Sequence, residues 1–167
     1  MIKLIETQFF YLFSTSLLLI TILPSLIFCI DLSCNEITKK LPAIGLASYC
    51  SVTTSSIKPS DVINNLLVNH NSVNLTGVSF QSLQVTQMPQ FSQTLSAIMK
   101  LLVIKSCGLM SIHQKDLKNL PNLKYLDISF NNIAKLESNL FKFNPKLELI
   151  DLADNEISLI EKNAFEG

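Results

Sequence analysis

Arginine is absent: all 13 basic residues of this 167-residue chain are lysine. Without guanidinium forks, the chain lacks the side chain that reads phosphate or guanine through paired hydrogen bonds. Nucleic acid is therefore not an expected partner. Glycine is also scarce, four in all, which leaves no glycine-rich loop to cradle a phosphate and makes a small-molecule cofactor improbable. Neither Gly-x-Ser-x-Gly nor Cys-x-x-Cys occurs, and His70 and His113, the only histidines, are too far apart for a zinc motif. These gaps argue against an enzyme and against a metal site. Acids and lysines balance at 13 each, so net charge favours no partner of either sign.

What is present is a sentence repeated at a fixed interval. Leu123, Leu126, Ile128, Asn131, Ile133, Leu136 and Phe141 recur 24 residues later as Leu147, Ile150, Leu152, Asn155, Ile157, Ile160 and Phe165. The same step backward gives Met99, Leu102, Ile104, Cys107, Leu109, Ile112 and Leu117, and one more gives Leu75, Val78, Phe80, Leu83, Val85, Met88 and Gln93. Within each unit the apolar residues first alternate with period two, the pattern of a short strand with one inward face. A lone strand cannot bury that face. Stacked units lay their strands side by side in a parallel sheet and merge the inward faces into one core. An amide where the chain leaves the strand can satisfy backbone groups of its own and the neighbouring unit. Asn131 and Asn155, with Cys107 in the same place, are therefore expected to form a structural ladder.

This Leu-x-x-Leu-x-Leu-x-x-Asn/Cys-x-Leu series, followed by Leu and Phe, resembles the typical leucine-rich repeat of extracellular animal proteins. The resemblance implies an α/β-type solenoid, a right-handed superhelix with a short parallel β-sheet on its concave face and an irregular or 3-10 convex side. Residues 75–167 would hold about four such rungs.

Residues 1–29 begin Met1-Ile2-Lys3 and run apolar from Phe9 to Ile30, as in a secretory signal cleaved after Cys29. An uncleaved membrane anchor is the alternative, and both place the remainder outside the cytosol. Residues 30–74 then form an amino-terminal cap, needed because a first rung would otherwise show its apolar face and free strand edge to water. With Cys29 removed and Cys107 in the ladder, Cys34 and Cys50 are left as a disulfide pair, worth roughly 3 kcal/mol. Free buried thiols are the competing reading. The stretch from Cys34 through Tyr49-Cys50-Ser51-Val52 to Val62-Ile63 resembles the cysteine-bearing caps of secreted insect leucine-rich repeat proteins. Asn74-Leu75-Thr76 is the sole glycosylation signal.

Outward strand positions, which line the concave side in this architecture, fall into three columns. They are Gly77, Leu101, Tyr125, Leu149; Ser79, Val103, Asp127, Asp151; and Gln81, Lys105, Ser129, Ala153. With strands about 4.8 Å apart, Leu101, Val103, Tyr125 and Leu149 should make one exposed apolar patch beside Asp127 and Asp151. Such patches mark contact surfaces. The expected ligand-binding set is Leu101, Val103, Lys105, Tyr125, Asp127, Ser129, Leu149 and Asp151, and the expected partner is a protein or glycan. Paired carboxylates can share a proton or hold a cation. Repeat duplication alone, however, puts the same acid in the same place twice. Adjacent like charges also hint at a basic partner. The chain stops at Glu166-Gly167 with no closing cap, so the sequence is expected to be a piece of a longer protein or to self-associate through that end.

Overall fold

The computed structural model describes residues 29–41, 45–52, 62–68, 71–72 and 75–166. In chain order these form β1 (Cys29–Leu41), β2 (Gly45–Val52), β3 (Val62–Val68), β4 (Asn71–Ser72), β5 (Gly77–Gln81) and β6 (Gln90–Phe91). Helix α1 (Gln93–Ile98), β7 (Leu101–Lys105), α2 (Gln114–Leu117), β8 (Tyr125–Asp127), β9 (Lys135–Leu136), β10 (Leu149–Asp151) and β11 (Leu159–Ile160) follow.

The expected solenoid is present. Strands β5, β7, β8 and β10 stand side by side and parallel, with Val78, Leu102, Leu126 and Ile150 in one register. Their inward residues are shut away: Val78, Phe80, Leu102, Ile104, Leu126 and Ile128 are fully buried. A single core runs from Cys50 and Val52 through all four rungs to Ala164. Truncating any of its central leucines to alanine would cost about 2–5 kcal/mol. On the return side, β9 and β11 pair in a second small parallel sheet, Leu136 beside Ile160, and the rings of Phe141 and Phe165 stack with centroids 5.6 Å apart.

Each rung bends out of its strand at one residue with left-handed backbone: Ser82, Ser106, Phe130 and Asp154. On the convex side the first two rungs carry short helices instead of wholly irregular chain. Helix α1 starts where Ser92 Oγ accepts the Leu95 N–H at 3.3 Å, and its Leu95 and Ser96 are buried. Gln93, which stands where later rungs have Leu117, Phe141 and Phe165, is exposed, so Leu95 takes over the inward role.

Ahead of the rungs, β2 pairs parallel with β5, placing Cys50 beside Val78 and Val52 beside Phe80. Strand β1 runs antiparallel to β2 and parallel to β3, while β3 also pairs with β6 on the return side of the first rung. Strands β2, β1 and β3 thus bridge from the concave strand of that rung to its opposite side, and Ile63 of β3 is fully buried in the common core. The strands before residue 75 and the repeat strands β5, β7, β8 and β10 belong to one sheet, joined by the β2–β5 pairing. Residues 1–28 and Asn74 lie outside the described residues, as does the side chain of Cys34, whereas Cys50 is disulfide-bonded.

Candidate functional site: the concave face and its ladder

The ladder positions do specific work. Asn131 accepts the N–H groups of Cys107 and Leu109 on Oδ1, at 3.1 and 3.0 Å. Its Nδ2 donates to the carbonyls of Ile104, Ile128 and Ser129 at 2.6, 2.9 and 3.1 Å. Asn155 repeats the arrangement one rung on, accepting Ile133 N–H at 3.1 Å and donating to Ile128 and Leu152. Cys107 donates Sγ–H to the carbonyls of Phe80 and Lys105, and burial pushes its thiol pKa up. A thiol is a poor acceptor. Accordingly the Val85 N–H, which corresponds to Leu109 and Ile133, goes to the backbone carbonyl of Cys107 at 3.0 Å.

Outward residues fall into the expected columns, since Gly77, Leu101, Tyr125 and Leu149 are in register, as are Ser79, Val103, Asp127 and Asp151. Tyr125 and Leu149 are half-buried and adjacent. Asp151 is half-buried, and its Oδ1 accepts the Ala153 N–H at 3.0 Å. Asp127 Oδ1 likewise accepts the Ser129 N–H at 3.0 Å and the Ser129 hydroxyl at 2.6 Å. One oxygen of each aspartate is therefore committed to closing the strand exit. Burial raises the Tyr125 phenol, and the negative charges of Asp127 and Asp151, with Tyr49, raise it further.

Residues 99–157 and 121–167 match the family model for the leucine rich repeat. The match covers residues 99–167, less than half of the chain. No curated protein matches the chain in sequence. The matched segment starts after the first rung, and neither the insect resemblance nor the cysteine-bearing cap finds support in these comparisons. Leucine-rich repeats generally serve protein interaction, and they are typically non-catalytic.

Within the repeats the exposed patch is smaller than the columns imply. Leu101 and Val103 are not on the surface: they are 1% and 7% exposed, in a second apolar cluster with Ala47 and Tyr49, against which Leu41 and Tyr125 pack. The cause is β2, which adds Tyr49 to the head of the first column beside Gly77. A Cβ on Gly77 would lie 2.8 Å from Leu101 Cβ and 3.0 Å from Tyr49 Cβ. The missing side chain is what lets Tyr49 and Leu101 close over that position. Ser129 is also withdrawn from the expected ligand set, being fully buried beneath its bond to Asp127, and Asp127 itself is buried. Lys105 is half-buried, with Nζ 4.9 Å from the centre of the Phe130 ring.

Three features were not among the expected residues. Phe130 is half-exposed at the exit of β8. Glu137 and Glu161, one repeat apart, form a second ladder: Glu137 accepts the Gln114 N–H and pairs with His113 Nδ1 at 3.2 Å. Glu161 accepts the Ser138 N–H at 2.8 Å and pairs with Lys135. The Gln114 N–H and His113 hold the Glu137 carboxyl below its usual range, and Lys135 with the Ser138 N–H does the same for Glu161. His113 is thus tied to Glu137. Third, Asn144 is buried and donates Nδ2 to the carbonyls of Leu117 and Leu120, both at 2.9 Å.

A convex-side cleft of about 480 Å³ is lined by Gln87, Gln90, His113, Lys115, Lys118 and Asn119, among others. Its one carboxylate, Asp116, accepts the His113 backbone N–H at 2.8 Å. Among the described residues, no cluster of three or more His, Cys, Asp or Glu could hold a metal. No described helix is long and apolar enough to cross a membrane.

Proposed function

We propose that this chain is a non-enzymatic extracellular recognition module that binds a protein partner on the concave side of its third and fourth rungs. The observation that carries the reading is that Tyr125 and Leu149 remain partly exposed in register beside Asp151, while their column neighbours Tyr49 and Leu101 are covered. Exposed apolar patches rimmed by polar groups mark contact surfaces, and tyrosine is among the residues enriched in binding hot spots. The apolar leader over residues 1–29, the Asn74 signal and the bonded state of Cys50 support export to an oxidising compartment. A protein ligand is favoured over a glycan because the partly exposed residues of column one, Tyr125 and Leu149, are aromatic and apolar.

Two experiments test it. In cultured secretory cells the chain should appear in the medium beginning at Ile30, with a glycan shift abolished by Asn74→Gln; retention in the cytosol defeats the extracellular assignment. A photo-crosslinker placed at Leu149 should capture a partner from extracellular fluid, whereas one at convex Lys118 should not. Capture from position 118 alone would refute the concave assignment.

A second reading has its own observation. Leu159, Ile160 and Phe165 on the fourth rung are 50%, 54% and 55% exposed, so this face favours self-association. Concentration-independent monomer mass in light scattering removes that reading.

A further inference from the structure

We propose that Phe130 is an aromatic anchor for the protein partner, and that the segment it receives carries a lysine or arginine flanked by apolar side chains. The inference rests on the concave-face reading above and supplies the chemistry of its partner.

Phe130 occupies the left-handed position at which every rung leaves its strand. Ser82, Ser106, Phe130 and Asp154 have φ of 54°, 54°, 56° and 53°. Aspartate, asparagine and serine occupy such a position at little cost because their short polar groups can bond to nearby backbone. A bulky aromatic has no such compensation and is a real outlier there. The ring is only partly covered, Phe130 being 49% exposed with Lys105 Nζ over it, and it belongs to neither buried apolar cluster. Folding accounts for the backbone turn at this position and leaves the aromatic unexplained. Large exposed aromatics held in a costly conformation are what interaction sites retain at the expense of stability.

The surroundings define what fits. The Phe130 N–H donates to the Ala153 carbonyl at 2.9 Å, tying the residue to the exit of the next strand. Along β8, β10 and their exits the order is apolar at Tyr125 and Leu149, acidic at Asp151 with Asp127 buried beside it, then Ala153, with Phe130 and Asp154 at the equivalent exits. Successive outward positions lie roughly 6.6 Å apart. Asp151 and Asp154 are the carboxylates left at the surface here, and the Lys105 ammonium lies over the ring. A cationic side chain set between two apolar ones matches that order in both charge and spacing, whereas an acidic segment would meet like charge.

The probe is a phage-displayed library of random 12-residue peptides, panned on the full chain, with enriched sequences then titrated as synthetic peptides. Enriched peptides should share a lysine or arginine between apolar residues. Their affinity should fall at least tenfold on Phe130→Asn and return on Phe130→Tyr, while Phe130→Asn melts at or above the parent temperature. A lowered melting temperature would make the ring a structural element and overturn the proposal. So would peptides without a common basic residue. Peptides weakened by Leu149→Asp but indifferent to Phe130→Asn would overturn the anchor and leave the concave-face reading standing. Indifference to both variants would remove both.

Discussion

Replacing Asn131 with alanine removes one side chain that serves five backbone groups on two rungs. Two are N–H donors, of Cys107 and Leu109, whose bonds end on Asn131 Oδ1. Three are carbonyls, which keep a second lone pair and tolerate the loss better. Asn131 is 6% exposed, so water does not replace it without opening the core. A stranded buried donor costs about 1–3 kcal/mol, so the two N–H groups together set the loss at roughly 2–6 kcal/mol. Against a typical domain stability of about 5–15 kcal/mol, that is a large fraction. At about 2–4 °C per kcal/mol for a domain of this size, Tm should fall by roughly 5–20 °C. Asn155→Ala supplies the internal control: Asn155 is half-buried and accepts only the Ile133 N–H, so its loss should cost about 1 kcal/mol. Thermal and urea unfolding followed by circular dichroism measure both variants, and hydrogen exchange should speed up selectively at Cys107 and Leu109. A cost for Asn155→Ala equal to or above that for Asn131→Ala would refute the argument that buried donors dominate.

Gly77→Ala should destabilise by about 1–3 kcal/mol through overpacking, and adding Leu101→Ala should recover part of that loss in the same melt. For Glu137 the folded carboxyl titrates below its unfolded value of about 4.3. Its contribution is therefore complete above that pH and lost as pH falls through the folded value. Glu137→Gln should flatten the acid limb of a Tm–pH profile, and an unchanged limb would show the ladder contributes nothing. Asp127→Asn keeps an acceptor for Ser129 but removes a charge that raises the Tyr125 phenol, so ultraviolet titration should find that phenol ionising at lower pH. No shift would mean the aspartate field does not reach the site.

The core was readable because the 24-residue step records burial directly. Leu126, Ile128 and Leu136 recur as a pattern only because each faces the same shared interior. Asn131 was readable for the same reason, since one amide at one turn is repeated in the next. The covered half of the concave face was not, because Tyr49 and Ala47 lie on β2, which carries no copy of the repeat and reaches the repeat strands through long-range pairing with β5. One signal was available. Gly77 is the sole glycine in the outward columns, and a glycine inside a strand often marks close approach by something else. Glu137 and Glu161 recur at the repeat spacing and could have been found by it. Phe130 could not, because residue type alone does not record a positive φ, and only comparison with Ser82, Ser106 and Asp154 exposes the aromatic as the exception.

Disulfide trapping between Tyr125→Cys and Leu149→Cys tests the shared register and the free outward face together. Parallel strands place these residues directly opposite one another, at a strand spacing of about 4.8 Å that lies within reach of a disulfide. Oxidation should link the pair quantitatively, and the reduced thiols should react readily with a bulky soluble maleimide, while Leu101→Cys resists labelling in the folded chain. Failure of the 125–149 link, or equal labelling at 101 and 149, would contradict the stacked-rung account and the contact face built on it.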